Sequence, residues 1–219
     1  MAGEPVRASW VFDVISPFAY LAFGQLARLS PALEIQFVPV LFAALLEHFG
    51  QLGPAEIPSK RRSTYRFVLW RARQLGVPLR MPPGHPFNPL AALRLIIAAG
   101  SDARAVGTVL DAVFRDGRDV ADPAVIAELA AELGVADPQA ALSVPAVKER
   151  LRENTSWAIS RGVFGVPTLV IGEEFFWGHD AMDMALDYVA DPQTFNTPDM
   201  RLIDTLPIAV ARAKAAAPK

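Results

Sequence analysis

The sequence predicts an α/β fold whose two halves are separated by a large all-helical insertion. Three observations lead to this prediction. The chain opens with a strand–helix–strand pattern, its centre is a series of helix-spaced apolar segments, and a β-hairpin and an amphipathic helix follow near the C-terminus. Strands that occur only at the two ends of a helical block are expected to pair in one sheet, so the element order is βαβ, helices, ββα.

The opening unit has the pattern of a parallel βαβ unit. Residues 10–14 predict a short buried strand, and Ser16 and Pro17 suit the N-cap and the first position of a helix. Apolar side chains continue at helical spacing up to Ser30 and Pro31, where we expect the helix to end. Residues 33–38 then alternate between apolar and polar in the manner of a second strand.

Predicted helices fill the middle of the chain. Two segments rich in proline and glycine, at residues 50–58 and 77–89, interrupt this region. Between such breaks, apolar periodicity predicts helices at residues 40–49, 59–75, 88–99, 103–115, 123–133 and 145–161.

A β-hairpin is predicted after the helical block. Two β-rich runs, at residues 168–171 and 174–177, flank a Gly172–Glu173 turn, and an amphipathic helix follows at residues 179–189.

The same pattern predicts how the chain divides into domains. Residues 9–38 and 162–192 are expected to form one discontinuous α/β domain, with residues 40–161 as its helical insertion. Residues 193–219 are expected to form a C-terminal tail that is frayed at its end.

Composition and charge exclude several function classes. The 219 residues are 52% hydrophobic, which is enough for a sizeable core, and the formal net charge is -2. We expect no nucleic-acid partner, because phosphate binding needs a clustered basic face. We expect no membrane contact, because the apolar stretches are too short for a span. No secretory signal is visible, so a cytoplasmic location is expected.

The sequence contains no cysteine. A catalytic thiol, a CxxC redox pair and a thiolate metal site are therefore excluded, and so is a dithiol oxidoreductase. Any sulfur chemistry must use a thiol from outside the chain. The histidines are His48, His85 and His179, and they show no short ligand spacing, so no metal site is expected.

Ser16 is a candidate catalytic residue because it lies where a strand meets a helix. Backbone N–H groups and the helix dipole at that point favour an anion such as a thiolate, to which the hydroxyl could donate a further hydrogen bond. Taken alone, the pattern favours the simpler interpretation of an N-cap.

Two segments of the C-terminal half also have both a structural and a functional interpretation. Residues 165–168 (GVPT) contain either an ordinary edge-strand proline, which the segment alone favours, or a cis Val166–Pro167 bond that exposes backbone groups to an extended peptide. Asp180 is either a capping residue or a ligand-binding carboxylate. His179 is either a pH-sensitive group or simply a surface residue.

A basic patch begins the helix predicted at residues 59–75. We favour a solvated helix face for Lys60 and the two arginines that follow it, over a clamp for a substrate carboxylate. Phe67 and Trp70 of the same helix are expected to be core residues rather than a stacking platform.

Four segments of the chain carry recognisable motifs: residues 13–22 (DVISPFAYLA), 53–61 (GPAEIPSKR), 162–168 (GVFGVPT) and 176–182 (FWGHDAM). Together they resemble 2-hydroxychromene-2-carboxylate isomerases and kappa-class glutathione transferases, in the DsbA-like branch of the thioredoxin superfamily. The first segment is similar to the family's D-x-x-S-P-[YF]-x-[YW]-L opening, the second to the isomerase-type loop, and the last two to later motifs of the family. The resemblance implies a thioredoxin-like fold over residues 9–189.

The resemblance also implies a glutathione site. The serine matching Ser16 hydrogen-bonds the sulfur of glutathione in place of the first CxxC cysteine. The residues matching Val166 and Pro167 form a cis bond, and the first of them pairs with the cysteinyl part of the tripeptide.

The two ends of glutathione have implied partners too. Asp180, with His179 beside it, matches the aspartate that binds the γ-glutamyl end, although the family has Ser or Thr where His179 stands. Lys60 matches a lysine near the tripeptide, and Gln51 stands where the family has asparagine.

The implied activity is a glutathione-dependent isomerisation in aromatic catabolism, acting on a small aromatic carboxylate. A thiolate adds to the conjugated system, a single bond rotates, and elimination restores the double bond. Family members are commonly dimers, so a homodimer is expected. Two alternatives stay open: a kappa-like transferase that releases a stable thioether, and a non-enzymatic thioredoxin-fold binding module.

Overall fold

The computed structural model describes residues 5–29 and 32–210 of the chain. Within these residues a four-stranded mixed sheet has the strand order β2-β1-β3-β4. The strands are β1 (Val6–Phe12), β2 (Leu33–Pro39), β3 (Thr168–Ile171) and β4 (Glu174–Trp177). β1 pairs with β2 in parallel and with β3 antiparallel, so the two distant ends of the chain meet in one sheet.

Helices occupy most of the chain between β2 and β3. The α-helices in this region are α2 (Phe42–Phe49), α3 (Pro58–Gln74), α4 (Leu90–Ala98), α5 (Ala103–Leu110), α6 (Pro123–Leu133), α7 (Pro138–Ser143) and α8 (Pro145–Ser160). Helix α1 (Pro17–Phe23) connects β1 to β2, and α9 (Met182–Ala190) and α10 (Pro198–Thr205) follow β4. Proline stands at the start of several of these helices, where its missing N–H leaves no intrahelical bond unmade. The predicted fold, a βαβ…ββα arrangement with a helical block between its halves, is confirmed.

Several element boundaries differ from the predictions. β1 ends at Phe12 rather than at residue 14, because Asp13 turns away from the sheet to bond backbone N–H groups. α1 is shorter than predicted: it ends at Phe23, and a 3-10 turn at Leu26–Arg28 takes its place. The predicted end at Ser30 and Pro31 lies outside the described residues.

The region after α9 is more ordered than the predicted tail. A 3-10 turn at Pro192–Asn196 and helix α10 occupy most of residues 192–205. Phe195 of this turn packs against Tyr188 of α9, with ring centroids 5.1 Å apart, so the segment is anchored to the α/β half. The fraying predicted for the end of the chain falls largely on residues 211–219, which lie outside the described residues.

β1 is the centre of the hydrophobic core. Trp10 and Phe12 face one side of the sheet, where their rings stack with centroids 4.6 Å apart, and Val11 faces a smaller cluster on the other side. A strand covered on both faces has a near-continuous apolar sequence, as the second half of β1 does. This packing holds the end of β1, and the loop after it, in a fixed place.

No helix in the described ranges has both the length and the apolar character that crossing a bilayer requires.

Candidate active site

The loop between β1 and α1 places Ser16 at the start of α1. Ser16 is the N-cap residue, and its Oγ accepts a hydrogen bond from the Ala19 N–H at 3.3 Å. The predicted capping role is therefore present. The side chain is only 7% exposed, so the hydroxyl lies in a largely desolvated position.

The loop before β3 brings a second backbone segment to Ser16. The Ser16 hydroxyl donates a hydrogen bond to the Val166 carbonyl oxygen at 3.4 Å, across 150 positions of sequence. The Val166–Pro167 peptide bond is cis. This is the arrangement implied by the resemblance, and not the ordinary proline that the segment alone favours. Within the described part of the chain, no group accepts a hydrogen bond from the Val166 N–H.

Neighbouring contacts hold the Val166 loop in place. The Thr168 hydroxyl donates to the Gly165 carbonyl at 2.8 Å, and the Gly178 N–H donates to the Pro167 carbonyl at 2.9 Å. Gly165 leaves no room for a side chain, since a Cβ there would lie 2.5 Å from the Trp177 Nε1. The loop is thus braced by both strands of the hairpin.

His179 is buried, so its interpretation as a surface residue is wrong. Its ring stacks on Phe18 with centroids 5.3 Å apart, and it is 3% exposed. The Arg71 Nε–H donates to its Nε2 at 3.3 Å, so Nε2 carries the lone pair. Burial is the main cause that lowers the pKa of His179; Asp180 opposes the shift and Arg71 adds to it. The ring is therefore neutral at pH 7.

Asp180 follows His179 in a short 3-10 turn and points outward. Its side chain is 77% exposed, and its Oδ1 lies 3.8 Å from the His179 Nδ1. Gly178 before it has a φ of 94°, and a Cβ there would come within 2.5 Å of the Asp180 Oδ1. Asp180 thus presents a solvent-exposed carboxylate beside the buried histidine.

Helix α3 passes over the start of α1 and carries basic and aromatic residues to this region. Its sequence contains no acidic residue, and among the described residues no ion pair involves this helix. Its basic residues are Lys60, Arg61, Arg62, Arg66, Arg71 and Arg73. Positive charge is therefore concentrated, and uncompensated by ion pairing, along one element that borders the site.

The prediction that Phe67 and Trp70 are core residues is wrong. They are 44% and 52% exposed, and their ring centroids are 5.8 Å apart. The ring centroid of Phe67 also lies 6.1 Å from that of Phe18, which follows Ser16 by two residues. The exposed rings thus continue an aromatic surface that begins at the start of α1. Periodicity missed this surface because an exposed aromatic stripe and a buried one have the same spacing.

A buried carboxyl that the sequence analysis left without a role supports the Ser16 loop. Asp13 is fully buried, and its two oxygens accept hydrogen bonds from the Ile15 N–H at 3.0 Å and the Phe42 N–H at 2.9 Å. Burial raises the pKa of Asp13 to about 7, against the opposing effect of these two bonds. An acidic residue directly after a buried strand was the available sequence signal.

The comparisons with known proteins identify the family. A family model described as a DSBA-like thioredoxin domain matches residues 9–190. A 2-hydroxychromene-2-carboxylate isomerase of Pseudomonas putida is 36% identical over 186 residues, which cover 79% of this chain and 89% of that protein. The chain belongs to the DSBA-like thioredoxin family.

Two further comparisons place the chain within this family. A protein named glutathione S-transferase kappa 2, of Caenorhabditis elegans, is 28% identical over 204 residues, covering 83% of this chain and 90% of that protein. The solved structure of a 2-hydroxychromene-2-carboxylate isomerase superposes with a TM-score of 0.76 at 28% identity, covering 89% of this chain and 98% of that one. Within this family, the chain therefore belongs to the branch that contains these isomerases and the kappa-class transferases.

Two of the predicted site residues are exposed to solvent. Gln51 is exposed in the loop after α2, and Lys60 is exposed in the first turn of α3. Neither side chain is hydrogen-bonded to Ser16 or Val166 within the described residues. Their contact with a ligand stays a prediction.

A separate cavity has a volume of about 580 Å³. It is lined by residues of β1 and β2, by Val170 and Gly172 of the hairpin, and by Trp157 and Arg161 at the end of α8; none of the predicted site residues lines it. Among the described residues, no group of three or more His, Asp or Glu side chains is arranged to hold a metal ion.

Proposed function

We propose that this protein is a glutathione-dependent isomerase acting on aromatic carboxylates like 2-hydroxychromene-2-carboxylate. One observation carries the proposal. In a chain without cysteine, a desolvated serine hydroxyl faces the backbone of the residue before a proline in a thioredoxin-like fold. The isomerase and transferase relatives supply the chemical class.

The backbone around Val166 suits the cysteinyl part of glutathione. An extended peptide pairs with a backbone that offers an unused N–H, and the Val166 N–H is such a donor. The Ser16–Val166 hydrogen bond, at 3.4 Å, is much longer than a typical O–H···O bond of about 2.7–2.8 Å. Redirecting the Ser16 hydroxyl toward a sulfur atom therefore costs little.

The charges around the site suit the two ends of the tripeptide. Glutathione carries carboxylates at both ends and one ammonium group. The positive charge of α3, beginning at Lys60, complements a carboxylate, and the exposed Asp180 carboxylate complements the ammonium of the γ-glutamyl end. Gln51 is a candidate for a further amide contact beside them.

Ser16 has the central role in this proposal. When bound, glutathione supplies a thiolate nucleophile that adds to the substrate and is later eliminated without net consumption. The Ser16 O–H donates a hydrogen bond to the negatively charged form and so favours it over the neutral thiol. A hydrogen bond to a charged group contributes about 1.5–3 kcal/mol, which corresponds to about one to two pKa units.

The aromatic surface beside Ser16 suits the acceptor substrate. Phe67 and Trp70 are exposed, and Phe67 is close to Phe18, so a planar ring bound there would lie near the sulfur held by Ser16. An arginine on the same helix, such as Arg66, is available for the substrate carboxylate. Aromatic rings next to uncompensated cations are what an aromatic carboxylate requires.

Calorimetric titration with glutathione from pH 6 to pH 9 tests the proposal. We expect saturable binding to wild type with proton release, and weaker binding of Ser16→Ala with the bound thiol pKa raised by about one to two units. Ser160→Ala is the matched control, because its exposed hydroxyl bonds only within α8. An absence of binding to wild type would leave the non-enzymatic module as the better interpretation.

A kappa-like transferase is the second candidate, favoured by the kappa-class relative that covers 83% of this chain. Product analysis separates the two activities. An isomerase gives an isomer of the substrate with no loss of glutathione, whereas a transferase gives a stable thioether in stoichiometric amounts.

A further inference from the structure

A histidine of the helical insertion holds the peptide that carries Ser16. The Nε2 of His85, in the segment between α3 and α4, lies 2.7 Å from the Ile15 carbonyl oxygen. A carbonyl oxygen only accepts hydrogen bonds, so the His85 Nε2 is the protonated nitrogen. The imidazole thus donates to the residue immediately before the candidate catalytic serine.

Tyr65 and Arg61, both of α3, orient this imidazole. The Tyr65 oxygen lies 2.6 Å from the His85 Nδ1 and 3.1 Å from the His85 carbonyl oxygen. Burial lowers the pKa of His85, so the ring is neutral, and its Nδ1, at the shorter distance, accepts the Tyr65 O–H. The Arg61 Nε–H donates to the same hydroxyl at 3.3 Å, and its Nη2 donates to the His85 carbonyl at 2.7 Å. The chain Arg61–Tyr65–His85–Ile15 therefore has one donor and one acceptor at each link.

The Ile15–Ser16 peptide is held at both of its polar atoms. Its carbonyl accepts the His85 bond, and its N–H, which belongs to Ser16, donates to the Asp13 carbonyl at 3.1 Å. Rotation of this peptide plane would turn the Ser16 Cα–Cβ bond and move the hydroxyl away from Val166. Asp13 belongs to the same loop, so His85 is the anchor that comes from outside it.

We propose that His85, oriented by Tyr65 and Arg61, is a positioning residue that sets the direction of the Ser16 hydroxyl toward the bound sulfur. The inference rests on the proposed function. It assigns the helical insertion a part in thiol activation, since His85 and Tyr65 both belong to it. His85 does so without touching the reacting atoms.

The ultraviolet absorbance of the thiolate, titrated against pH with saturating glutathione, tests this inference. We expect His85→Ala to raise the pKa of the bound thiol in the same direction as Ser16→Ala, with affinity at low pH close to that of wild type. His85→Gln keeps an N–H donor and should recover part of the shift. In a Ser16→Ala background, His85→Ala should cause little further change in the pKa of the bound thiol, because the hydroxyl that His85 positions is absent.

Tyr65→Phe keeps the test decisive if His85→Ala does not fold, because it removes only one oxygen atom. We expect a smaller shift in the same direction, while Tyr188→Phe, whose ring packs away from the site against Phe176, is the matched control and should show none. An unchanged thiol pKa in the folded His85 and Tyr65 variants, or a His85→Ala shift that adds in full to that of Ser16→Ala, overturns the inference. Wild type without any thiolate signal would instead overturn the proposed function, and the inference with it.

Discussion

Replacing Asp13 with asparagine should change how the stability of the protein depends on pH. The carboxyl is fully buried, and its pKa is raised from the ordinary value of 3.8 to about 7. Between these two pH values the folded protein keeps a proton that the unfolded chain has released. The free energy of unfolding therefore falls as pH rises from about 4 to about 7. Above about pH 7, Asp13 causes no further change in the free energy of unfolding.

The size of the effect follows from the size of the shift. A difference of about three pKa units corresponds to roughly 4 kcal/mol, since one unit is about 1.4 kcal/mol. Asp13→Asn removes the ionisation itself, so the variant should lack this part of the pH dependence. The amide also leaves one of the Ile15 and Phe42 N–H groups without its acceptor, which costs about 1–3 kcal/mol at every pH.

Urea unfolding followed by circular dichroism, at one protein concentration and at several pH values from about 4 to about 8, measures the effect. We expect the free energy of unfolding of wild type, minus that of Asp13→Asn, to fall by up to about 4 kcal/mol as pH rises. Because the lost acceptor costs the variant only about 1–3 kcal/mol, the variant becomes the more stable protein at the high end of this range. Asp187→Asn, an exposed change on α9, is the control. Parallel curves for wild type and Asp13→Asn would refute the argument that a buried proton at Asp13 is linked to folding.

Two further predictions concern the surface that α3 presents. Trp70→Ala should raise the KM for an aromatic substrate about two- to tenfold, because it removes one aromatic contact with that substrate. The KM for glutathione should stay unchanged. Equal increases in both KM values would contradict a stacking role for Trp70. Arg71→Met should raise the pKa of His179, because Arg71 contributes to lowering it, and NMR titration of the imidazole measures this. The same titration with Arg73→Met, an exposed change on the same helix, should leave the His179 pKa as in wild type.

The regular elements were predictable because each carries its own periodicity. The helix Pro123–Leu133 and both hairpin strands lie where their apolar spacing and flanking turns predict them. No helix was predicted at α7 (Pro138–Ser143), a short helix in which no side chain is buried. Without a buried face, such a helix has no apolar stripe for a periodicity argument to find.

The candidate site was predictable only in part. Ser16 and Val166 were found through motifs that resemble a family, whereas pattern alone favoured a simple cap and an ordinary proline. Phe67 and Trp70 were assigned to the core because apolar side chains usually are, yet the structure exposes them. His85 carried no motif, and its role depends on a 2.7 Å contact with Ile15, 70 positions away.

The sequence by itself determined the order of the strands and of the helices that have a buried apolar face, and the absence of cysteine alone excluded a thiol of the protein's own. The tertiary structure decided which groups meet: the Ser16 hydroxyl and the Val166 carbonyl, the stacked rings of Phe18 and His179, and the guanidinium of Arg71 on His179. The physical reason is the range of the interactions. Apolar spacing and capping act between residues a few positions apart, whereas the site depends on how distant elements pack against one sheet.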